Sequence, residues 1–248
     1  MPEAVGVLER DLRGVFGTRL QSLIIYGQHA RAHAHGAAGR DASHGHASHD
    51  LPRIHTLAIV EALTADDLRA CAPRVTAWHD AGLGTPLIVA AHEFERSLDA
   101  FPFEFGAILS DHTIVTGSSP FEGLTVDPQD LRRACEVQAR GHLLHLREGY
   151  LETRGNGDAL AILVVKSSAP FAALVESVAR LDGAATGGAE AAARHVDRSL
   201  GLAGPTATDV VALVGVSEMS ANAAERLFPP YLEAAERLVS YIDRWRSL

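Results

Sequence analysis

Cysteine is nearly missing from this chain of 248 residues. Cys71 and Cys135 stand far apart, each inside a helical pattern, and read as buried thiols of a reduced cytoplasmic protein. Basic charge is also short: 22 Lys and Arg face 31 Asp and Glu, for a formal net charge of −9. With that balance and no basic run, the chain is a poor partner for a nucleic-acid backbone, which rewards clustered Lys and Arg. No apolar run reaches the roughly 18 residues of a membrane span, and no basic stretch leads into an apolar one at the start. The expectation is a cytoplasmic protein without signal peptide or membrane segment. What is plentiful is apolar side chain, at 47% of the residues, enough for one large core or two smaller ones.

Two short runs of aliphatic and β-branched residues organise the first part. Ser22-Leu23-Ile24-Ile25-Tyr26 is stopped by Gly27-Gln28, and Ile54-His55-Thr56-Leu57-Ala58-Ile59-Val60 follows later. Both have the length and composition of strands. Between them, residues 28–52 carry six histidines (His29, His33, His35, His44, His46 and His49) with Ala, Gly and almost no large apolar residue. Such a segment cannot bury a core and is expected to be a flexible loop.

Around these strands the pattern alternates. Val5, Leu8, Leu12, Val15 and Phe16 give a helical face before the first strand. Thr64 with Asp67 three residues on marks a capped helix start, running toward Gly82. Residues 86–90 read as a strand and 92–99 as a short helix. The alternation of Phe103, Glu104 and Phe105 reads as a further strand over 101–109, and Thr113 to Thr116 as a last one. From Pro128 the pattern is helical: 129–153, then 158–182 with an interruption at Pro170, then 190–200 and 206–226. Residues 183–189 read as a flexible joint, and Pro229-Pro230 as the start of a final helix. The fold class is therefore α/β (α+β): an α/β domain at residues 1–127 and an all-α domain at 128–248.

The order L-x-S-L-I-I-Y-G, loop, I-x-x-L-A-I-V resembles the DNA polymerase beta-type nucleotidyltransferase superfamily, nearest its small bacterial kanamycin-nucleotidyltransferase-like members. The later stretches F-P-F-E-F, H-T-I-V-x-G and L-R-R-A-C-E-x-Q-x-R-x-H-L-L-H-L-R-E-G-Y-L extend the likeness over roughly residues 5–182. The resemblance implies a mixed sheet with flanking helices followed by a helical domain. It also implies Gly-Ser after the first strand and Asp-x-Asp opening the second. This chain has Gly27-Gln28 and, at the acidic pair, Arg53 and His55. Neither of the latter is a hard oxygen ligand, so Mg²⁺ is not expected there. Gly27, Gln28, Arg53 and His55 thus form a degenerate nucleotide site, and Glu104 stands as a remnant of the third carboxylate.

Other constellations stand beside this one. Arg53 could face Glu104 as a salt bridge across adjacent strands or hold a phosphate directly. The six loop histidines suit Zn²⁺ or Ni²⁺ rather than Mg²⁺, although their spacing matches no rigid site and a solvated insertion is the simpler reading. His142 and His145, three apart, read as one helix surface. The functional expectation is a catalytically inactive nucleotidyltransferase-fold protein that keeps a cleft for a nucleotide or a protein partner. Two alternatives remain: an active enzyme moving a nucleoside monophosphate from a nucleoside triphosphate to a small-molecule or protein hydroxyl, and a transition-metal binder through the His-rich loop.

Overall fold

A computed structural model describes residues 2–27, 53–184 and 187–246. The chain divides into two compact units, Met1–Val126 and Asp127–Leu248.

Unit 1 opens with helix α1 (Glu3–Phe16), whose Val5, Leu8, Leu12 and Phe16 recur at helical spacing and are all buried. Strands β1 (Leu20–Tyr26) and β2 (His55–Val60) pair antiparallel. Helix α2 (Ala65–Cys71), a 3₁₀ turn at Ala72–Arg74 and helix α3 (Val75–Asp80) replace the single helix expected before Gly82. The break contains Pro73, which has no N–H for a continuous ladder. The capping box is present: Asp67 N–H donates to Thr64 Oγ1 at 3.2 Å, and Thr64 N–H donates to the Asp67 carboxylate at 3.0 Å. Strand β3 (Leu87–Ala90), helix α4 (Ala91–Ala100), helix α5 (Pro102–Ser110) and strand β4 (His112–Gly117) complete the unit.

The sheet runs β3-β2-β1-β4, with β3 parallel to β2 and the other pairs antiparallel. The two-residue alternation of β1 and β2 serves two layers of core. Leu23, Ile25, Ala58 and Val60 pack with α1, Trp78 and Leu83. Ile24, Leu57 and Ile59 pack with Phe94 and Leu98 of α4, Phe105 and Ile108 of α5, and Phe121. Each such aliphatic side chain stabilises the unit by about 1.5–3 kcal/mol when fully buried.

One element differs in kind from its sequence reading. Residues 101–109 are not a strand; Phe101 caps α5, and 102–109 lie within it. Pro102 is favoured at a first helical position, and the buried residues Pro102, Phe105 and Ile108 recur every three residues. The Phe103-Glu104-Phe105 alternation happens to fit a strand as well, and the longer helical period prevails.

Unit 2 consists of α6 (Pro128–Glu152), α7 (Gly157–Leu181), α8 (Ala189–Ser199), α9 (Thr206–Val211) and α10 (Ala221–Arg244). Helix α7 is long and apolar enough, by length and composition, to cross a membrane. It packs against all four other helices of the unit, burying Leu160, Val164, Phe171, Leu174, Val175 and Val178. The interruption expected at Pro170 does not occur. Pro170 and Lys166, whose carbonyl loses its helical donor, are both exposed, so water can serve that carbonyl while the opposite face keeps its packing. Likewise Pro229-Pro230 sits inside α10, which starts earlier at the Ser220 cap. The helix expected over 206–226 ends at Val211, and a non-helical stretch with Gly215 at φ 81° precedes α10. Part of the expected joint at 183–189 lies outside the described residues.

Candidate functional site

The end of the sheet where β1 finishes and β2 begins is built around a pinned residue, Ile54. Its N–H donates to the Gly82 carbonyl at 2.9 Å, and its carbonyl accepts from Gly84 N–H at 2.9 Å. The side chain of Ile54 is buried, whereas Arg53 and His55 on either side are exposed. The alternation of extended chain thus directs the apolar residue inward and the two polar ones outward.

His55 lies opposite Tyr26 in the β1–β2 register, and the rings stack with centroids 5.8 Å apart and an interplanar angle of 27°. Gly84 makes room for that imidazole, since a Cβ there would sit 3.2 Å from His55 Nδ1. On its other side Tyr26 lies opposite His112 of β4. His112 packs on Phe121, with ring centroids 4.2 Å apart, and its Nδ1 is 3.1 Å from the Leu109 carbonyl. His55, Tyr26 and His112 therefore make one row across three strands. Burial raises the Tyr26 phenol above its ordinary value, so it stays protonated at neutral pH and can donate a hydrogen bond. Gly27 closes the row in the left-handed region at φ 77°, its N–H held by the Asp111 carbonyl at 2.9 Å.

Glu104 does not join this row. It stands in the first turn of α5, exposed, and forms no salt bridge with Arg53. The cross-strand pairing expected of these two residues fails because Glu104 lies on a helix, not on a strand. Gln28 and the histidines at 29, 33, 35, 44, 46 and 49 lie outside the described residues. The sequence reading missed Tyr26 and His112 as neighbours of His55. Only the antiparallel register reveals them, although H-T-I-V-x-G already marked the strand that carries His112.

The shared helix surface read for His142 and His145 also separates. His145 is exposed, whereas His142 turns into unit 2 and bonds Tyr231.

The nucleotidyltransferase resemblance implies Mg²⁺ at the opening of β2, and the residues present do not fit it. Mg²⁺ takes oxygen ligands in octahedral geometry, usually one or two carboxylates plus substrate phosphates. Arg53 repels the ion, and an imidazole suits softer metals. Among the described residues, no group of three or more His, Cys, Asp or Glu side chains could hold a metal ion. What this end of the sheet carries instead is the Arg53 guanidinium next to the His55–Tyr26–His112 row, groups suited to an anion or a flat polar ring.

No protein-family model and no curated protein sequence matches this chain. Among solved structures it is similar to spectinomycin adenyltransferase AAD(9) from Enterococcus faecialis, determined with ATP and spectinomycin. The TM-score is 0.56 at 9% sequence identity, covering 98% of this chain and 99% of that one. The chain has the nucleotidyltransferase fold. This matches the resemblance and the fold class read from the sequence: a mixed sheet with flanking helices, followed by helices. At 9% identity the likeness carries the nucleotidyltransferase fold and nothing finer.

Proposed function

We propose that this chain is a catalytically inactive nucleotidyltransferase-fold protein that binds a nucleotide at the β1–β2 end of unit 1. One observation carries the reading: where the resemblance expects two carboxylates at the opening of β2, the chain has Arg53-Ile54-His55, with Ile54 fixed by two backbone bonds. Nucleotidyl transfer needs cations to gather at the phosphates and neutralise developing charge, and these side chains cannot hold them. The nucleotide partner is suggested by the ATP in the AAD(9) structure, brought over on fold likeness alone. The Tyr26–His55 stack beside Arg53 supports it, as an aromatic surface next to a cation suits a base and its phosphate. The buried free thiols Cys71 and Cys135 fit a reducing, cytoplasmic setting.

The test is a four-nucleotide assay. The protein is incubated with ATP, CTP, GTP and UTP plus Mg²⁺ or Mn²⁺, with candidate hydroxyl acceptors, while pyrophosphate is measured and binding is followed by calorimetry. Binding of at least one nucleotide without pyrophosphate release is expected. Pyrophosphate release that is lost on Arg53→Ala or His55→Ala substitution would establish the active-enzyme reading instead.

A further inference from the structure

We infer that the β1–β2 end of unit 1 takes a phosphate chain directly on Arg53, as the metal-free anion, and that Mg²⁺ competes with the protein for that anion instead of bridging the two. This rests on the nucleotide-binding reading for the identity of the ligand, not for the presence of the anion site.

The argument starts from what surrounds Arg53. Its side chain is exposed, and no ion pair or hydrogen bond to another described residue occupies its donors. It is not a loose surface cation, however. The next residue is tied to Gly82 and Gly84 on the β3 side, which fixes the backbone from which Arg53 extends. The carboxylate that should neutralise it, Glu104, is on α5 and does not pair with it.

A guanidinium presents a planar fork that matches two phosphate oxygens at once, and it is always charged. In a magnesium-dependent site the ion bridges protein carboxylates and phosphate oxygens, so Mg²⁺ tightens nucleotide binding. Here the bridging side is missing. Mg²⁺ on the phosphates removes two negative charges from the ligand and occupies the oxygens a guanidinium would take. The sign of the metal effect is therefore inverted relative to a bridged site.

The experiment is isothermal titration of the full-length protein with ATP, and separately with inorganic tripolyphosphate, in EDTA and in excess Mg²⁺. Arg53→Gln is compared with Arg96→Gln, an exposed arginine on α4. Both ligands should bind in EDTA and weaken by about tenfold in Mg²⁺. Arg53→Gln should lose about tenfold in EDTA, the size of one charge-assisted contact, and Arg96→Gln should lose nothing. ATP binding that requires Mg²⁺, or that is indifferent to it, overturns the inference and leaves nucleotide binding standing. Arg53-dependent binding of tripolyphosphate without binding of ATP upholds the anion site and removes the nucleotide. No binding of either ligand overturns both.

Discussion

His142 of α6 and Tyr231 of α10 share a 2.7 Å hydrogen bond inside unit 2. Ser167 gives its hydroxyl hydrogen to the Val164 carbonyl at 3.0 Å, so Tyr231 donates to Ser167, whose Oγ lies at 3.2 Å. Tyr231 Oη thus bridges His142 Nε2 on one side and Ser167 on the other. Phe171 stacks on the same ring with centroids 5.4 Å apart.

This arrangement makes unit 2 acid-sensitive. Burial, and secondarily the neighbouring His145, push His142 down from 6.5 to about 4. The folded chain therefore keeps a neutral imidazole where the unfolded chain takes up a proton. Stability is full above about pH 6.5 and falls as pH drops toward 4, by up to about 3 kcal/mol in all. Urea unfolding at pH 7 and pH 5 should show this loss, and His142→Phe should flatten it. Tyr231→Phe leaves His142 Nε2 without its hydrogen-bond partner and should cost about 1–3 kcal/mol at pH 7.

Thr56 lies in the sheet core at 1% exposure, and among the described residues its Oγ1 has no hydrogen-bond partner. A buried hydroxyl without a partner opposes folding, and a methyl of the same size does not. Thr56→Val should raise the unfolding free energy by about 1 kcal/mol in a denaturant titration. A loss of stability would show that the hydroxyl is satisfied.

Gly117 ends β4 at φ 85°, and a Cβ there would lie 1.8 Å from the Gln21 carbonyl oxygen. Backbone cannot yield as a flexible side chain can, and the left-handed region adds strain of its own. Gly117→Ala should therefore cost more than about 2 kcal/mol and disturb the β1–β4 pairing. Amide exchange along β4 would report it, with Gly123→Ala as a comparison at another left-handed glycine where no atom lies within 4 Å.

The sequence made the framework readable where one period dominated. Val5, Leu8, Leu12 and Phe16 could only be a helix face, and Leu57 to Val60 only a buried strand. It misleads where two periods coincide, as at Phe103 to Phe105, and where a proline reads as a helix boundary, an interruption at Pro170 and a start at Pro229-Pro230. Pro170 and Pro229 are exposed, so the carbonyls they deprive of donors can turn to water, a property of burial that composition does not record. The candidate site is placed by residue order alone, since Arg53 and His55 fall where the resemblance expects an acidic pair. Its neighbours did not follow. Tyr26 and His112 reach His55's row only through pairing between strands, which local sequence does not encode.

The strand order has a consequence for synthesis. β1 emerges first of the four strands yet occupies an inner position, between β2 and β4. Its second edge therefore stays open until Gly117 has left the ribosome, roughly 90 residues after Tyr26. At about 5–20 residues per second that is on the order of 5–20 s. Throughout that interval the nascent chain carries Leu23-Ile24-Ile25 on an unpaired edge, the kind of surface that chaperones shield and that aggregation exploits.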